Sequence, residues 1–156
     1  MGGAIALKFA LKYPELLSGM ILVATGARLR VFPELMDSLA RGTYPSNFVT
    51  TNYSPYCPPA LIAEAEKELA GIDPAVYLAG FQACDGFDEI NSIKDIHLPV
   101  LIVCGRYDVK TPEKYALFIQ KQIPHSHLQL IEQAGHMVMV EQPEQVNKAI
   151  LSFLAK

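Results

Sequence analysis

Residues 98–112 read LPVLIVCGRYDVKTP, and the fold turns on them. Pro99 opens the stretch, Val100 to Cys104 run without a polar residue, and Gly105 closes it. A short apolar run bounded by Pro and Gly reads as a strand buried on both faces, the habit of parallel sheets covered by helices. The next segment reads as helix. Thr111 is placed to cap it, with Pro112 at its first position, and the pattern runs to about Gln122.

Further along the chain, HLQLIEQAGH alternates as a strand from His127 to Ile131, and PEQVNKAILSFLAK is an amphipathic terminal helix with Val146, Ile150, Phe153 and Leu154 on one face. Toward the amino end, Gly3 to Lys12 form a helix rich in small residues that stops before Pro14. SGMILVAT then reads as a second buried strand, closed by Gly26. Between Pro33 and Ile90 the grammar changes. Pro45, Pro55, Pro58, Pro59 and Pro74 break that segment into short helical pieces, near Glu34 to Arg41, Pro59 to Gly71 and Ala75 to Cys84. The organisation expected is an α/β core beginning in residues 1–32, a helical insertion over 33–90, and the core resumed over 91–156. Strands alternating with helices imply a mostly parallel sheet flanked by helices, with right-handed crossovers.

Composition narrows the function. The 156 residues are 51% hydrophobic and carry 13 basic against 16 acidic side chains, a net charge of -3, with no basic block. Nucleic acid and anionic membrane are poor partners for such a surface. The apolar runs fall far short of the roughly 20 residues of a membrane span. Cys57, Cys84 and Cys104 are odd in number and widely spaced, so no disulfide framework or CxxC metal site is implied, and a reducing cytoplasm is the expected compartment. His125 and His127 alternate on a strand without a third ligand, and no metal or organic cofactor is expected.

In open parallel sheets functional groups collect at the carboxyl ends of the strands. Asp108 follows the strand that ends at Gly105, and His136 follows the strand that ends near Ile131. Taken alone, Asp108 also fits turn chemistry or an anion at a helix N-terminus, and a histidine after glycine fits an ordinary loop. Together, in the order Asp then His, they form the supporting two-thirds of a nucleophilic triad: an acid that orients a base. The nucleophile is not evident. Ser18, Ser38, Ser46, Ser54, Ser92, Ser126 and Ser152 all lack a G-x-S-x-G frame, and Cys104 reads as a small core hydrophobe.

Three segments, MGGAIALKFALKYPE, LPVLIVCGRYDVKTP and LIEQAGHMVMVEQPEQVNKAILSFL, resemble the carboxyl-terminal part of an α/β-hydrolase-fold enzyme of the serine branch. The family's nucleophile elbow reads G-x-S-x-G. On that frame Gly2 matches the last glycine and Met1 the variable residue before it, so the serine stands immediately before Met1 and the chain begins just after it. The resemblance implies that Asp108 is the triad acid, His136 the base and Met1 the position whose backbone N–H faces an oxyanion, and that the 33–90 segment is a variable cap. It also implies that Gly2 and Gly3 let helix and strand approach closely. Some relatives place an aspartate where the serine stands. The function implied is hydrolysis of small carboxylic esters or related acyl compounds. The alternative is a truncated, non-catalytic piece acting through association, with a homo-oligomer formed across an exposed sheet edge.

Overall fold

The computed structural model describes residues 1–155. Helix α1 (Gly2–Lys12) buries Ala4, Leu7 and Ala10, three residues at a spacing of three on one stripe. Small side chains bring its backbone close to the sheet. A Cβ at Gly3 would collide with the side chain of Thr25, whereas a Cβ at Gly2 would meet nothing within 4 Å. The close approach expected of both glycines therefore rests on Gly3 alone.

Strands β1 (Met20–Val23), β2 (Val100–Gly105) and β3 (Ser126–Ile131) form a parallel sheet in the order β1-β2-β3. Leu22 pairs with Ile102, and Ile102 with Leu128. All six residues of β2 are buried. Its alternate side chains enter two cores, because strand side chains alternate between faces. Val100, Ile102 and Cys104 pack with α1 and with α5 (Glu113–Gln122) through Leu7, Ala116 and Ile119. Leu101 and Val103 pack on the other face with Val138 of α6 (Val138–Glu141) and with Val146 of α7 (Pro143–Leu154). Burying each such aliphatic side chain contributes about 1.5–3 kcal/mol. The result is a sheet covered on both sides by helices.

Proline sets several boundaries. Tyr13, Ile123 and Gln142 each precede a proline and leave the helical region, at φ/ψ of -136°/54°, -101°/109° and -134°/57°, as crowding by the following ring requires. The start of α5 differs from expectation. Its N-cap is Pro112, without a side-chain cap, and Thr111 turns its hydroxyl to Asp108 instead. A buried carboxylate is the stronger acceptor for that hydroxyl.

Residues 33–90 hold α2 (Pro33–Ala40), α3 (Pro59–Leu69) and α4 (Pro74–Asp85). The segment leaves and rejoins the rest of the chain side by side: Leu29 N–H donates to Phe87 O (3.2 Å) and Glu89 N–H to Ala27 O (2.8 Å), with an antiparallel bridge between Arg28 and Asp88. Among the described residues no helix is long and apolar enough to cross a membrane.

Candidate active site

Gly105 ends β2, and the chain turns at once, Asp108 N–H donating back to Gly105 O (3.1 Å). The turn lies tightly against the loop after β3. Arg106 N–H donates to Ile131 O (3.0 Å) and Tyr107 N–H to Ala134 O (2.8 Å). A Cβ at Gly105 would run into the backbone of Ala134 and Gly135. Only glycine permits that contact, which brings the ends of two neighbouring strands together.

The contact places Asp108 beside His136. Asp108 is fully buried at its side chain and satisfied on both oxygens: Oδ1 accepts from Lys110 N–H (2.8 Å) and Thr111 N–H (2.8 Å), and Oδ2 from the Thr111 hydroxyl (2.8 Å) and His136 Nδ1 (2.9 Å). Burial opposes ionisation of this carboxyl. The hydrogen bond and charge of His136, with the Thr111 N–H and hydroxyl, outweigh burial and hold it below the usual 3.8. An ionised carboxylate only accepts, so the imidazole proton is assigned to Nδ1. In the neutral imidazole Nε2 is then an acceptor, and among the described residues it has no hydrogen-bond partner. His136 keeps 30% of its side chain exposed.

His136 lines a cavity of ≈ 140 Å³ together with Met1, Thr25, Phe32, Lys110 and Thr111. Met1 is the N-cap of α1, so the positive end of that helix opens toward the imidazole. Gly2, placed beside Met1 in sequence, does not line the cavity. Two non-glycine residues with left-handed φ flank the site, Ala24 (48°) just after β1 and Gln133 (55°) just after β3. Backbone held there costs on the order of 1–3 kcal/mol, and such strain gathers at functional sites. A larger cavity of ≈ 770 Å³ lies away from this pair, among Pro99, His125, His127 and Phe153. The convergence of unpaired imidazole, buried acid and helix N-terminus favours the smaller one.

Other candidates fall elsewhere. Ser54 is buried, and its hydroxyl donates to Gln133 O (3.1 Å). Among the described residues no serine hydroxyl is hydrogen-bonded to His136. The Cys104 thiol is pushed up to about 12, chiefly by burial, and is neutral at physiological pH. Cys57 and Cys84 are buried free thiols. Phe48, Tyr77 and Phe81 pack on one another, with ring centroids 5.2 to 6.3 Å apart, as the core of the 33–90 segment, while Phe32 and Phe81 also reach the His136 cavity. His125 and His127 are exposed.

Thr111 and Lys110 do not stand out as site residues in the sequence. The signal for Thr111 is the D-x-x-T spacing, which lets one hydroxyl reach back three residues to the carboxylate. Lys110 donates to Thr51 Oγ1 (2.7 Å), and burial holds its ammonium below the ordinary value against the pull of Asp108.

The sequence pattern of the alpha/beta hydrolase family matches residues 1–149. The chain belongs to that family. A pimeloyl-[acyl-carrier protein] methyl ester esterase of Nitrosomonas europaea is 29% identical over 93% of this chain and 65% of its own length. The dihydrolipoyllysine-residue acetyltransferase component of an acetoin cleaving system from Pseudomonas putida is 27% identical over 100% of this chain and 44% of its own. A thermophilic esterase of known structure superposes with a TM-score of 0.86 at 33% identity, covering 98% of this chain and 62% of that one. The chain thus spans less than two thirds of the length of these relatives. Two of these relatives are esterases, and the fold expected from the sequence is the fold found.

Proposed function

We propose that the full-length protein is a serine hydrolase of small carboxylic esters or related acyl compounds, in which Asp108 is the triad acid and His136 the base. The observation that carries this reading is the 2.9 Å bond between His136 Nδ1 and the buried Asp108, made at the ends of adjacent parallel strands with Nε2 left unpaired over a cavity. In the proposed reaction Nε2 takes the proton of a serine hydroxyl as its oxygen attacks the acyl carbonyl. Asp108 holds the Nδ1–H and stabilises the imidazolium. The imidazolium then protonates the leaving alcohol, and the acyl-serine is cleaved by water with His136 again as base.

No serine inside residues 1–156 fits the elbow frame, so the proposal places the nucleophile immediately before Met1. Met1 and Gly2 complete the elbow, with the Met1 N–H aimed at the developing oxyanion from the end of α1. The 33–90 segment is the cap over the site. Thr111 lies on the Nδ1 side of the imidazole (3.3 Å), which suits an orienting hydroxyl and not a nucleophile.

Fluorophosphonate labelling and peptide mapping of the full-length protein test this. Label on the serine preceding Met1 is the expected result. Label on any serine within residues 1–156 contradicts it, and refusal of label combined with an aspartate at that position transfers the site to the aspartate-nucleophile branch.

A second reading concerns the 156 residues by themselves. Met1, Ile5, Phe9 and Tyr13, spaced by four along α1, are all exposed (62%, 61%, 39% and 37%), and among the described residues β1 pairs on one edge only. Such a stripe beside an open strand favours self-association. The isolated chain is expected to show no esterase turnover above its Asp108→Asn control and to sediment as oligomers. An active monomer would contradict both expectations.

A further inference from the structure

A second carboxylate grips the histidine loop from the other side. Glu141, at the end of α6, aims both oxygens at backbone N–H groups: Oε1 accepts from Gly135 (2.7 Å) and Oε2 from Ser54 (2.8 Å). Gly135 is the residue before His136, and Ser54 lies 87 residues away from Glu141, in the loop between α2 and α3. One side chain therefore joins the peptide that precedes the imidazole to the 33–90 segment.

The junction is dense. The Ser54 hydroxyl donates to Gln133 O (3.1 Å), and Met137 N–H donates to Asn52 O (3.0 Å), so residues 133, 135 and 137 are each fastened around His136. A Cβ at Gly135 would stand 2.7 Å from Tyr53 C and 2.8 Å from Ser54 N, so the loop from the insertion presses directly on this backbone. Hydrogen bonds to an ionised acceptor are about twice as strong as neutral ones and hold a tighter geometry.

We propose that Glu141 is a positioning residue, which keeps the His136 imidazole in register with Asp108 and makes the 52–54 loop part of that register. It touches no reacting atom. Displacement of the insertion by a bound substrate would reach the imidazole through this carboxylate. The catalytic consequence rests on the serine-hydrolase reading, but the geometric claim does not.

The test uses the full-length protein and proton NMR. A histidine Nδ1 proton held by a buried carboxylate exchanges slowly and resonates downfield of the amides; His136→Gln identifies it by its loss. Glu141→Gln offers one acceptor and turns an N–H toward a backbone N–H, and it is expected to speed exchange of that proton at least tenfold. Glu141→Asp, which keeps the charge but shortens the reach, is expected to fall between and serves if the glutamine variant does not fold. Asp73→Ala removes the N-cap bond to Ala75 N–H (2.8 Å) at the start of α4, which makes no bond to Glu141, and controls for general destabilisation. In the full-length protein Glu141→Gln should lower kcat about tenfold at unchanged KM. Unaltered exchange in both Glu141 variants, or equal acceleration by Asp73→Ala, overturns the proposal. Absence of the resonance from the unaltered chain overturns the Asp108–His136 register and with it both readings, whereas a proton lost on Glu141→Gln without loss of turnover leaves the geometry standing and overturns the catalytic one.

Discussion

The core around β2 and the helical segment over residues 33–90 are built to different standards. Every residue of β2 is buried, and its two faces feed two cores. In residues 33–90 α3 buries nothing completely, α2 buries only Leu39 and α4 only Cys84, and Phe48, Tyr77 and Phe81 pack on one another. The candidate acid and base stand on the first region, where close packing leaves each side chain one arrangement. The second region lends Leu35, Phe81 and Cys84 to the wall of the His136 cavity. On the proposed function, that division holds the imidazole rigidly while leaving the neighbouring wall of the cavity free to adapt to substrate.

The contrast can be broken in several places. The largest effect should come from the pair itself: Asp108→Asn in the full-length protein is expected to lower kcat by about 10³–10⁴-fold, because an amide no longer fixes the imidazole tautomer. Circular dichroism should report a native fold. Packing comes next. Ile102→Ala, at a site 2% exposed, should cost about 2–5 kcal/mol, and Ile62→Ala on half-buried α3 about 1 kcal/mol or less; equal costs in urea unfolding would erase the distinction between the regions. Gly135→Ala strikes a place where the two regions touch backbone to backbone, and the clash should cost about 1–3 kcal/mol in the same experiment.

A fourth effect is seen only in acid. Because the folded-state pKa of Asp108 is depressed, its ionisation stabilises the native state above the unfolded value of 3.8. That contribution is expected to be lost as pH falls below about 4 toward the folded value, and Asp108→Asn should flatten that part of the stability curve. Stability rising with acid over that window would reverse the assignment. The smallest effect is a gain. Gln133 holds a left-handed φ of 55° and uses only its backbone O at the junction with Ser54, so Gln133→Gly should raise stability by about 0.5–1 kcal/mol, visible as a shift in Tm.

Much of this is legible in residues 98–136 alone. An uninterrupted apolar run ending in Gly105 and an alternating run ending at Ile131 place two strands, and the loops after them name Asp108 and His136 without any coordinates. The sequence misleads where two local chemistries compete for one residue: Thr111 has the form of a helix cap, but the Asp108 carboxylate claims its hydroxyl. It misleads also where a motif glycine and a packing glycine are neighbours, since Gly3 and not Gly2 meets Thr25. The bridge from Glu141 to Ser54 is not readable at all. It spans 87 residues and uses backbone N–H groups, which leave no trace in side-chain pattern.

The most direct test is the turnover of a short acyl ester by the full-length protein with and without His136→Ala. A loss of about 10³-fold or more in kcat is expected, with KM and native circular dichroism little changed. Turnover within threefold of the unaltered protein would remove His136 from the chemistry and leave the Asp108 bond a structural one.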